Sequence, residues 1–194
     1  MIDYIKGKIT ELTPTSTIIE TGGIGYIAHI SLSTYSLLEH KENAQLYIYE
    51  AIREDAHLLF GFFTREEREM FLLLISVSGI GANTARMILS SLSVSELQQC
   101  IAQDNSTVLK NVKGIGLKTA QRLIIDLKDK IERFGGDAKS IGTNTYTSVK
   151  QEAASALMML GFQQMPINKA LDKIFSNEPS ITLEHAIKQA LKML

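Results

Sequence analysis

The sequence predicts an α+β, multidomain chain: a five-stranded β-barrel, a tandem helix-hairpin-helix segment, a flexible linker and a C-terminal three-helix bundle. Three observations carry this. The first 63 residues keep a two-residue hydrophobic period, and a helical period replaces it at Thr64. One motif also occurs twice: Val77-Ser78-Gly79-Ile80-Gly81-Ala82-Asn83-Thr84-Ala85 returns 35 residues later as Val112-Lys113-Gly114-Ile115-Gly116-Leu117-Lys118-Thr119-Ala120. An internal repeat of this kind marks two copies of one supersecondary unit.

Residues 1–63 contain five runs rich in Ile, Tyr, Thr and Leu: Ile2 to Leu12, Ser16 to Thr21, Ile24 to Ser31, Gln45 to Ile52 and Ala56 to Phe62. Tyr26, Ala28 and Ile30 alternate with Ile27 and His29, as on a strand. Gly22-Gly23 is a hairpin signal. A short helix, Thr34 to Glu39, falls between the third and fourth runs. Five strands with a helix at that place suit a small closed barrel of the OB type. A plain antiparallel sheet is the alternative.

Residues 64–133 read as helix, Gly-x-Gly hairpin, helix, connecting helix, hairpin, helix. Thr64 with Glu67, and Ser93 with Glu96, are spaced as capping boxes that open helices. Residues 134–148 are rich in Gly, Ser, Thr and Asn and read as a flexible linker. Residues 149–194 give three helices: Val149 to Leu160, closed by Gly161, then Pro166 to Phe175 and Thr182 to Leu194. Leu160-Gly161-Phe162 is similar to the turn of ubiquitin-associated (UBA) domains, which are three-helix protein binders.

The overall charge of −1 excludes little, but its distribution is informative. Between Lys110 and Arg133 seven basic residues face three acidic ones, and that window holds the second repeat. No apolar run is long enough for a membrane span. The start, Met1-Ile2-Asp3-Tyr4-Ile5-Lys6, lacks a signal-peptide pattern. Cys100 is alone, so no internal disulfide forms, and its helical context suggests a small buried residue. The expected location is cytoplasmic.

No catalytic site is evident, and no metal or cofactor is expected. Gly114-Ile115-Gly116-Leu117-Lys118-Thr119 departs from a nucleotide-binding P-loop at both its glycine spacing and Leu117. The histidines His29, His40, His57 and His185 have no metal-ligand spacing. A base-excising enzyme would need a catalytic Lys or Asp. Lys118 and Asp126 are the available pair, and phosphate contact and a helix surface explain them better. Glu54 and Asp55 would point to opposite faces of a strand and can converge only in a turn.

A Gly-x-Gly turn entering a helix is a geometry for holding phosphate. Gly79 and Gly114 permit a turn that a Cβ would obstruct. Ile80 and Ile115 plug the hairpin into the helix pair. Gly81 and Gly116 bring the backbone against the phosphate, where amides and the helix dipole attract it. Thr84 and Thr119 cap the helix or donate to phosphate, and capping is the favoured reading. Lys113, Lys118 and Arg122 add ion pairs in the second copy, whereas the first offers only Arg86 and the neutral Asn83. Phosphate contacts carry no base information, so binding by shape is expected.

The order barrel, tandem helix-hairpin-helix, linker and three-helix end resembles the RuvA family, the Holliday-junction-binding subunits of bacterial branch-migration complexes. The resemblance covers essentially the whole chain. It rests on Glu20-Thr21-Gly22-Gly23-Ile24-Gly25-Tyr26, on Arg53-Glu54-Asp55-Ala56-His57-Leu58-Leu59-Phe60-Gly61-Phe62, and on Gly114-Ile115-Gly116-Leu117-Lys118-Thr119-Ala120. It implies a non-catalytic subunit that holds four-way DNA open in recombination, DNA repair and the SOS response. It implies a homotetramer, or an octamer on DNA, with Glu54 and Asp55 as acidic pins at its centre. It further implies that residues 149–194 bind the RuvB-type hexameric ATPase, with Leu157, Leu160, Phe162 and Leu191 as contacts, and that a junction resolvase is a further partner. For Leu157 and Leu160 a core role is the competing reading. The alternative function is a general helix-hairpin-helix scaffold that recruits a different repair enzyme. Relatives often carry basic residues where this chain has Asn83 and Leu117, which weakens the case for side-chain contacts there.

Overall fold

The computed structural model describes the backbone of residues 1–134 and 145–194, and the side chains of 1–131 and 149–194. The expected linker, 134–148, lies mostly outside the described residues. Its two ends are helical, at Phe134 and from Thr145 onward.

Strands β1 (Tyr4–Leu12), β2 (Ser16–Thr21), β3 (Ile24–Ile30), β4 (Asn43–Ile52) and β5 (His57–Phe62) close a barrel in the order β1-β2-β3-β5-β4. All neighbours are antiparallel except β3 and β5, which run parallel. The alternating residues Ile5, Ile19, Ala28, Ile30, Leu46 and Ile48 fill the interior. Helix α1 (Leu32–Leu38) adds the fully buried Leu38 to that core. It starts two residues before the expected Thr34, because Ser31 caps it through the Thr34 amide.

One outer face of the barrel is apolar as well. Tyr49, Phe60 and Phe62 carry Phe71 of helix α2 (Arg65–Ile75), at ring centroid separations of 5.2, 5.5 and 4.8 Å. Tilted aromatic pairs at this spacing add about 0.5–1.5 kcal/mol each beyond their area burial. Phe60 and Phe62 therefore belong to the same core as the helices after them.

Those helices are α3 (Ala82–Ser91), α4 (Val94–Ala102), α5 (Ser106–Lys110) and α6 (Leu117–Phe134). The Ser93–Glu96 capping box is complete. The Thr64–Glu67 box is only half formed. Thr64 accepts from the Glu67 amide, but the Glu67 carboxylate turns inward, drawn by buried hydroxyls. Helix α5 was not expected: five residues are too few for a hydrophobic period to register.

The second unit holds α7 (Thr145–Met159), α8 (Gln164–Asn177) and α9 (Leu183–Leu191) around Ala153, Leu157, Ile167, Leu171, Ile174 and Phe175. Helix α7 begins a turn before the expected Val149. Its Thr and Ser residues are weak helix formers, but extending a nucleated helix is far easier than starting one. Gly161, at φ +95°, ends it as expected.

Candidate nucleic-acid interface

The two hairpins have the same local geometry. Gly79 and Gly114 take φ of +91° and +92°, a region that disfavours side chains. The Ile80 amide then bonds the Val77 carbonyl at 3.0 Å, and the Ile115 amide bonds Val112 at 3.1 Å. Both isoleucine side chains are buried in the helical core. Ile80 and Ile115 lie inside the two phosphate-type hairpins, yet they do not themselves reach a ligand. With side chain and amide both engaged inside the protein, they form the plug of each hairpin and present no donor outward.

Gly81 is the N-cap of α3 and makes no side-chain cap. The first intrahelical bonds are Ala85 N–H to Gly81 carbonyl and Ala120 N–H to Gly116 carbonyl, each 2.9 Å. The amides of Ala82, Asn83 and Thr84, and of Leu117, Lys118 and Thr119, are thus left without an intrahelical acceptor. No protein atom lies within 4 Å of where a Cβ would stand at Gly79, Gly81, Gly114 or Gly116. Open space thus lies beside these glycines, next to unbonded amides at the positive ends of two helices. The capping role favoured for Thr84 and Thr119 is overturned. Each is the third helical residue, and glycine takes the cap position in its place.

Charge separates the two copies. Lys113, Lys118 and Arg122 are exposed, and none pairs with a carboxylate among the described residues. Lys128, further along α6, is held by Asp104 at 2.5 Å, and Lys130 reaches the Ser76 hydroxyl at 3.3 Å. Arg86 of the first copy sits in a different setting. It is half-buried and donates to the Thr15 carbonyl at 2.9 Å, tying α3 to the β1–β2 loop. Asn83 is exposed and neutral.

Glu54 and Asp55 occupy the tip of the β4–β5 hairpin. Ile52 and His57 form its last strand pair, and the Arg53 amide closes the turn on the Ala56 carbonyl at 2.8 Å. The two residues therefore lie in a turn, the one setting in which their carboxylates could converge. Both are exposed, with no cationic partner among the described residues.

In the second unit Leu157 is fully buried, so it is a core residue and no partner contact. Leu160 is 60% exposed, which overturns the core reading for it. Phe162 is half-buried against the core, and Leu191 is exposed. Sequence reasoning missed Met159 and Met165, which are 90% and 73% exposed. The helical period could have placed both on the outer face.

Glu67 was also missed as a buried group. Only 5% exposed, it accepts hydrogen bonds from the Ser31 and Thr34 hydroxyls and from the Phe63 amide at 3.3 Å. Burial pushes its carboxyl above the ordinary range, and those hydrogen bonds only partly offset this. It joins the barrel to α2 and takes no part in the interface. Among the described residues no cluster of His, Cys, Asp or Glu could hold a metal ion, and no helix is long and apolar enough to cross a membrane.

A closed OB-type barrel carrying two phosphate-type hairpins defines a tandem helix-hairpin-helix protein built to meet sugar-phosphate backbone. Comparison with known proteins narrows this class. Residues 1–61 match the family described as RuvA N terminal domain, 71–129 the SAM-like helix-hairpin-helix tandem, and 148–194 the RuvA C-terminal domain. Similar proteins include those of Bacteroides thetaiotaomicron (53% identical), Bacteroides fragilis (54%) and Parabacteroides distasonis (55%). Each comparison covers 100% of both chains, and each relative is named Holliday junction branch migration complex subunit RuvA. The chain belongs to the RuvA family.

Proposed function

We propose that the chain is the non-catalytic subunit of a branch-migration complex. It binds four-way DNA through its two hairpins and recruits a RuvB-type hexameric ATPase through residues 149–194. The observation that carries the reading is the pair of bare helix N-termini at Gly81 and Gly116, the second flanked by the free cations Lys118 and Arg122. Such contacts hold backbone and ignore bases, which suits a protein that must act on any sequence. Arg86 contributes by fixing α3, and the Leu160, Met159 and Leu191 surface is the side offered to the ATPase.

Four copies around an axis would place eight pin carboxylates, from Glu54 and Asp55, at the centre, repelling phosphates there and parting strands into the arms. The homotetramer, a second tetramer closing over the junction, a resolvase partner and a cytoplasmic site of action belong to the same proposal. A gel-shift competition between a four-way junction and linear duplex of the same sequence tests it. The junction is expected to win by at least about tenfold, or about 1.4 kcal/mol. Equal affinity would reduce the chain to a general duplex binder.

A further inference from the structure

The second unit carries a groove that the DNA reading does not use. Helix α8 forms one side, with Gln163, Pro166, Lys169 and Lys173, and Met193 and Leu194 after α9 lie across from it. Met165 completes the lining. The groove is open to solvent and offers about 590 Å³, room for several side chains.

The α8 side of the groove is basic. Lys150 is paired with Asp172 at 2.6 Å, and Lys188 with Glu184 at 2.5 Å. Lys169 and Lys173 are both exposed and meet no carboxylate among the described residues. They stand one helical turn apart, about 6 Å along the axis. Carboxylates two residues apart on an extended peptide lie about 6.6 Å apart on one face, and the residue between them points the other way. Met193 and Leu194, across the groove from α8, give that intervening residue an apolar seat, the thioether adapting to its shape.

We propose that this groove binds an extended acidic peptide in which apolar residues alternate with Asp or Glu. The carboxylates face Lys169 and Lys173, and the apolar side chains pack against Met193 and Leu194. The proposal does not depend on junction binding or on motor recruitment, because peptide binding is measured directly.

The probe is a fluorescent Asp-Leu-Glu-Phe-Asp-Leu-Glu peptide titrated with the full chain and followed by anisotropy. Saturable binding is expected. Lys169→Glu with Lys173→Glu should weaken it at least tenfold while four-way DNA binding stays unchanged, which also reports that the variant is folded. A control peptide with Ser in place of Leu and Phe should bind at least tenfold more weakly. Lys118→Ala with Arg122→Ala should leave peptide affinity as it was. The proposal falls if the peptide does not bind or if the charge reversal has no effect. Equal binding of the Ser peptide, or loss of binding in the hairpin variant, would also sink it, since either would mean nonspecific attraction to cations.

Discussion

Gly81 and Gly116 are the residues at which phosphate approach can be tested without disturbing the fold. A bulky residue at Gly79 or Gly114 would sit at positive φ and strain the turn by about 1–3 kcal/mol, so loss of binding there would not separate blocking from unfolding. Gly81 is in extended backbone, at φ −88° and ψ 171°, and a Cβ at either Gly81 or Gly116 meets nothing. Gly81→Val with Gly116→Val should keep the wild-type melting temperature to within a few degrees and lose junction binding at least tenfold in a gel shift. Unchanged affinity would contradict the hairpin account. Glu67 permits a second test at this scale. Its folded carboxyl holds a proton to higher pH than the unfolded one, which ionises near the ordinary 4.5. Ionisation therefore favours the unfolded chain, and stability should fall as pH rises from 4.5 through the raised value. Glu67→Gln removes the charge but keeps acceptor and donor groups for Ser31 and Thr34. Urea denaturation across that range should show a flatter pH profile for the variant.

At the scale of elements, α3 and α6 are unequal partners. Both present bare amides, but among the described residues α6 alone adds unpaired cations, at Lys118 and Arg122, with Lys113 in the turn before it. Counterion release should therefore come mainly from the second hairpin. Replacing Lys118 and Arg122 by Ala should reduce the log–log salt slope of junction binding by about 0.9 per residue, and Asn83→Lys should steepen it by a similar amount. Fluorescence titrations at several salt concentrations measure this. Similar slopes for all variants would mean that these side chains do not touch phosphate.

For the whole molecule, the acidic turn makes the most specific demand. Glu54 and Asp55 are exposed and unpaired at one hairpin tip, so nothing within the described chain neutralises them. Repulsion from phosphate should make them cost affinity while shaping the junction. Glu54→Gln with Asp55→Asn should bind junction DNA as tightly as the wild type or tighter, and should change the branch-migration rate in an assay with the ATPase. Weaker binding would show that the carboxylates hold something in place and repel nothing.

Closure of the strands into a barrel rests on the parallel β3–β5 pairing, whereas five strands, the paired hairpins, the plugging Ile80 and Ile115 and the C-terminal helical unit are legible in the chain alone. Each is written in local signals: a two-residue period, a repeated Gly-x-Gly, a glycine at a helix end. Packing alone settles that Glu67 is buried beneath hydroxyls from α1, that Arg86 bonds Thr15, and that Leu157 and Leu160 part company between core and surface. Packing also settles that Lys113, Lys118 and Arg122 meet no carboxylate among the described residues while Lys128 pairs with Asp104. These outcomes depend on residues distant in the chain, such as Asp104 for Lys128 and Thr15 for Arg86. No local pattern records which of those a side chain will meet once the helices pack.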